Sequence, residues 1–122
     1  FRSLSYQAWK RGWRCLFAPA SHVLHRHRST SAPRFGEAFV ERVTRRNHFL
    51  MIWKNVTDFG MLVEHLTSLP RIHAYAITHH GGRYEAAAYW QAVARLPLAL
   101  QRRLSALRHY VRSDREVLEA SR

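Results

Sequence analysis

Cysteine, lysine, acidic residues and long apolar runs are all scarce in this chain, and each scarcity excludes something. A single cysteine, Cys15, rules out an intrachain disulfide. Set in the apolar run Cys15-Leu16-Phe17-Ala18, it reads as a small core residue rather than a reactive thiol, and a reducing compartment is the default. Uninterrupted apolar runs such as residues 49–53 are far short of the ~20 residues a membrane span needs. The amino terminus has no cleavable signal pattern. It also has no initiating Met, so the start is expected to be an artificial or truncated boundary. No repeat of ~20 to 50 residues and no low-complexity stretch interrupts the chain, whose 122 residues suffice for one domain at most.

What is abundant is arginine. Twenty Lys and Arg stand against eight Asp and Glu, a formal charge of +12, and only Lys10 and Lys54 are lysines. The planar guanidinium pairs with phosphate or carboxylate through two parallel hydrogen bonds, so sugar nucleotides, nucleic acid and anionic membrane are the candidate partners.

Local signals predict a mainly α chain with a small β element. Lys10, Arg11 and Gly12 read as a helix end, with two cations at the negative pole and a glycine where a positive φ is wanted. Residues 13–18 and 22–26 are expected as short strands, the first mostly buried and stopped by Pro19. A long helix is predicted over 34–55. Phe39, Val43, Leu50 and Trp53 fall on one narrow arc of it, with Arg46 and Asn47 close beside. A further helix is expected over 58–69, begun near Asp58 and closed by Pro70; residues 72–80 fit helix or loop equally. Gly81-Gly82 is a breaker. A helix over 84–96 is interrupted or restarted at Pro97, and Leu100, Leu104, Leu107 and Val111 then make an apolar seam flanked by Arg102, Arg103, Arg108 and Arg112. Ser113 with Glu116 fits a capping box for a last helix over 114–120.

Several residues could carry chemistry. His25 and His27 would point the same way on a strand, which suits a divalent ion, although a lone His-x-His equally describes a solvated strand end. Ser29, Thr30 and Ser31 offer hydroxyls to phosphate or sugar oxygens, or simply make a loop. Arg46 and Asn47, close to a buried arc, need partners; they tie the helix to the preceding loop or reach a ligand phosphate. The segment from Arg102 to Arg112 is concentrated enough to lie on anionic lipid or nucleic acid. Asn55-Val56-Thr57 matches a glycosylation sequon too short to mean more than chance.

Taken together, Leu4-Ser5-Tyr6-Gln7-Ala8-Trp9-Lys10-Arg11-Gly12-Trp13, Pro19, Val23-Leu24-His25, Arg46-Asn47 and Lys54-Asn55 resemble the end of the catalytic domain of family-two glycosyltransferases, particularly bacterial enzymes that build surface polysaccharides. The resemblance covers residues 3–58. It implies that the chain is a carboxyl-terminal fragment of a GT-A type α/β nucleotide-sugar transferase domain over 1–58, followed by a helical extension over 59–122. It implies a nucleotide-sugar donor, a glycan or lipid-linked acceptor, and a divalent ion, Mg or Mn, in the whole enzyme. His25, Ser29, Thr30, Arg46 and Asn47 would then meet the substrate diphosphate, with His25 and His27 at the metal. The family's acidic motif should fall on or before Phe1-Arg2-Ser3, where no acid stands, and the donor-binding half is missing. The chain by itself is therefore expected to catalyse nothing and to hold no cofactor. Its expected place is the cytoplasm, at the inner face of the membrane, with only weak anionic-membrane contact and no specific nucleic acid. A basic helical module for nucleic acid or anionic membrane, and a decayed reading frame, are the alternatives.

Overall fold

The computed structural model describes residues 2–16, 18–22, 31–80 and 83–120. In chain order these form α1 (Arg2–Lys10), α2 (Ser31–Phe35), α3 (Glu37–Asn55), α4 (Phe59–His80), α5 (Arg83–Val93), α6 (Leu96–Leu107) and α7 (Asp114–Glu119). The fold is mainly α, as expected, and among the described residues there is no strand.

The end of α1 is built as its residues dictate. Gly12 has φ 78°, the Gly12 amide donates to the Trp9 carbonyl at 2.9 Å and the Trp13 amide to the Ala8 carbonyl at 2.9 Å. This is the paired closure that a left-handed residue after a helix permits. The Lys10 carbonyl accepts from the amides of Val111 and Arg112 at 2.8 and 3.1 Å, so the far end of the chain caps this helix.

Beyond Gly12 the expected β element is not found. Residues 13–16 and Ala18 are irregular, His22 likewise, and the rest of the second expected strand lies outside the described residues. Cys15 is exposed rather than buried, and Leu16 is 81% exposed. Two short strands without a sheet to join are marginal, and among the described residues Trp13, Cys15 and Leu16 are all exposed.

The long helix over 34–55 is divided. Gly36, at φ 79°, separates α2 from α3. Of the predicted arc, Phe39 is exposed, and the residue that becomes buried is Phe49. The reason is the partner surface: α5 brings Ala88 and Ala92, both fully buried, onto α3, and such small side chains let the two helices approach where Phe49 can sit between them. Tyr89 packs edge-on against Phe49 and Trp53, with ring centroids 5.6 and 6.0 Å away.

Helix α4 begins where Asp58 predicts, its Oδ1 accepting from the Met61 amide at 3.0 Å, but Pro70 does not close it. His65 and His73, on either side of Pro70, both pack against Phe49, at 6.1 and 6.4 Å between centroids. Contacts on both flanks hold the halves as one rod despite the missing amide. Pro97 does restart the chain, in the first turn of α6.

In α6 the residues turned inward are Ala99 and Ala106, with Arg103 donating to the carbonyls of Trp53 and Val56 at 2.9 and 2.6 Å. A cation thus caps the carboxyl end of α3. The leucine seam is consequently turned outward. Finally, α7 forms with both halves of the Ser113–Glu116 capping box in place.

Candidate functional site

A buried polar cluster joins the two ends of the chain. Lys10 and Asp114, each 1% exposed, pair at 2.8 Å. The remaining valences of Asp114 are taken by the Tyr6 hydroxyl, by the Thr57 amide and hydroxyl at 2.7 and 2.9 Å, and by the Asp58 amide at 2.6 Å. Burial by itself would raise the Asp114 carboxyl, but donation from Lys10, Tyr6, Asp58 and Thr57 outweighs it and holds the group at about 2. Burial and the hydrogen bond to Asp114 push the Tyr6 hydroxyl up. Alongside, fully buried Asn55 accepts from Gln7 at 2.9 Å and from Tyr110 at 3.3 Å, which removes the apparent sequon as a modification site. A lysine, a carboxylate and a tyrosine in contact resemble a reaction centre. Every Asp114 oxygen is already engaged and sealed from solvent, so the cluster is a structural tie.

Open to solvent is a groove between α3 and α6. Arg46, Leu50 and Lys54 recur every four residues along one side of α3, and Arg95, Leu98 and Arg102 occupy corresponding positions at the start and along the side of α6. Ala99 keeps the helices close at its floor. The hollow has a volume of about 250 Å³ and no carboxylate in its lining. Lys54 and Arg102 also border a second hollow of about 290 Å³, which continues to Arg11, Arg108 and His109 and is likewise free of acids.

The cations perturb one another. Burial, then the charges of Arg102 and Arg11, push Lys54 below the ordinary ammonium range, and burial together with Arg95 lowers Arg46. Arg46 is held in place by two bonds to Asn47 Oδ1, at 3.1 and 2.9 Å. The Nε of Arg11 is buried without a partner among the described residues, its guanidinium 5.7 Å from the Trp13 ring. Like charges gathered in a concavity with a free buried donor favour an incoming anion.

A third feature lies between α3, α4 and α5, a hollow of about 370 Å³ bordered by Arg45, His48, Phe49, His65 and Glu85. Arg45 bridges Glu41 at 3.0 Å and Glu85 at 2.5 Å, so its charge is spent within the fold.

Of the residues singled out in the sequence, Arg46 and Asn47 meet in the acid-free groove. His25, His27, Ser29 and Thr30 lie outside the described residues. Among the described residues no group of three or more His, Cys, Asp or Glu side chains could hold a metal ion. Arg95 was missed, and Arg102 was singled out only as part of the basic segment from Arg102 to Arg112, not as a partner of Arg46; the available signal was the absence of any acid between Glu85 and Asp114. Side chains also cross the expected boundary at residue 58, since Lys10 and Thr57 meet Asp114 and Arg103 holds the end of α3. No family model, no curated protein and no solved structure matches this chain.

Proposed function

We propose that this protein binds a phosphate-bearing ligand in the groove between α3 and α6. The observation that carries this reading is the lining itself: Arg46, Lys54, Arg95 and Arg102 surround one hollow with no carboxylate among them. Guanidinium groups grip phosphate oxygens in pairs, and several cations around one hollow add their attractions for an anion. Burial is the main cause that lowers Lys54 and Arg46, and a bound phosphate would offset the further repulsion from Arg102 and Arg11 on Lys54 and from Arg95 on Arg46.

The ligand that fits the family resemblance is the diphosphate of a nucleotide sugar or of a lipid-linked acceptor. Arg46, Asn47 and Lys54, three of the residues on which that resemblance rests, all line the groove. In such an enzyme an acceptor hydroxyl displaces the nucleoside diphosphate from the anomeric carbon, and the part of these residues is to bind and orient the anion. A basic module for nucleic acid would use the same cations, but the groove between α3 and α6 has no ring in its lining on which a base could stack, and the second hollow offers His109.

Calorimetric titration with UDP, pyrophosphate and a single-stranded oligonucleotide separates these. UDP and pyrophosphate are expected to bind at physiological salt, with Lys54→Gln and Arg102→Gln each weakening them on the order of tenfold, the loss of one charged hydrogen bond. The oligonucleotide is expected to bind only at low salt. Unaltered affinity in both variants, or oligonucleotide binding that persists at physiological salt while the diphosphates fail, overturns the proposal.

A further inference from the structure

Helix α6 carries an exposed leucine stripe on an acid-free stretch of chain. At 100° per residue Leu100, Leu104 and Leu107 fall within an arc of about 60°. They are 45%, 69% and 39% exposed, and Val111, just past the helix, is 72% exposed. These residues make the apolar seam read from the sequence, and the fold leaves it in water. The stripe is preformed, because Ala99 and Ala106 are buried in the fold and Arg103 is tied to the carbonyls of Trp53 and Val56. No acidic residue occurs between Glu85 and Asp114, whereas Arg108 and Arg112 follow the stripe at its carboxyl end.

We propose that α6 seats this protein on an anionic membrane surface, Leu100, Leu104 and Leu107 entering the boundary between headgroups and acyl chains while Arg108 and Arg112 contact lipid phosphates. Charge selects this occupant. A nucleic acid would satisfy the arginines and leave the leucines in water. A second copy would bring together two chains of formal charge +12. An anionic bilayer accepts both kinds of side chain at once, and arginine reaches headgroups while its stem lies along apolar surface. The helix lies on the membrane and does not cross it: among the described residues no helix is long and apolar enough to span one.

Flotation with vesicles tests this. The protein is expected to float with phosphatidylcholine vesicles containing about a third phosphatidylglycerol at physiological salt, and far less with phosphatidylcholine alone. The double variant Leu100→Gln, Leu104→Gln is expected to lower partitioning at least about tenfold. Its circular dichroism and UDP affinity should stay unchanged, because neither leucine lines the groove. Lys54→Gln should show the converse, which keeps the two proposals separable. Equal flotation of the leucine variant, no preference for anionic vesicles, or a wild-type dimer in light scattering that this variant abolishes would each overturn the assignment; the last outcome would make the stripe an interface between copies.

Discussion

At the scale of single residues, Asp114 has the most at stake. An ordinary aspartate titrates near ~3.9, and this one is held at about 2 because donors surround it in the fold. A carboxylate with a depressed folded value contributes stability that is fully present above its unfolded value and lost as pH falls through the folded one. Its share is roughly 2–3 kcal/mol, disappearing between about pH 4 and pH 2. Denaturant midpoints measured across that interval should fall steeply in the wild type and much less in Asp114→Asn. At neutral pH the same variant leaves Lys10 buried without its countercharge, at a cost of about 3–5 kcal/mol. Glycines offer a second comparison. A side chain at Gly12 meets the left-handed backbone and also Val111 Cγ2 at 2.9 Å, whereas at Gly36 nothing lies within 4 Å. Gly36→Ala should therefore cost only the backbone strain, about 1–2 kcal/mol, and Gly12→Ala clearly more, as thermal melts would show.

Among the elements, α4 is attached through a histidine whose protonation below neutral pH would break the bond. The Trp53 indole donates to His65 Nε2 at 3.1 Å, so His65 must be neutral at that nitrogen, while His73 Nδ1 bonds the Leu69 carbonyl at 2.9 Å. Burial, and then the charge of His48, push His65 below the ordinary histidine value. A histidine lowered in the fold stabilises above its unfolded value of ~6.5 and loses that contribution as pH drops through the folded one. Exchange of α4 amides, corrected for intrinsic rates, should accelerate on going from about pH 7.5 to about pH 5.5, and the acceleration should vanish in His65→Phe. Equal protection at both pH values in the wild type would show that the indole bond does not hold α4. The capping box of α7 was readable because its signal acts within a few residues, whereas the break at Gly36 falls inside the helix expected over 34–55 and was not read from the sequence. The passage of α4 through Pro70 was not readable either, because it depends on Phe49 meeting His65 and His73 from another helix.

For the whole molecule, the buried apolar set among the described residues is small: Phe49, four alanines and Val117. The polar tie between Lys10 and Asp114 therefore carries a large part of what keeps the two ends together. The amides of Val111 and Arg112, bonded to the Lys10 carbonyl, should exchange about as slowly as those in the middle of α3, while residues 13–16 and 18–22 exchange fast. In Asp114→Asn, protection should fall together across α1, residues 56–58 and α7, and remain in α5. Independent loss at each site would show that the tie is not cooperative.

The sequence alone determined the helical class, the end of α1 at Gly12, the break at Pro97, the capped last helix and the strong positive charge, because caps, breakers and composition are local or additive. Arg46 and Asn47 also stood out, since polar groups beside an apolar arc need partners. Only the tertiary structure decided which face of each helix is buried and which charges meet. Ala99 and Ala106 turned inward because small side chains allow α6 to approach closely, and that rotation put the leucines into water. It also placed Arg95 and Arg102 opposite Arg46 and Lys54, a gathering of like charges that depends on how two helices pack and leaves no trace in residue spacing.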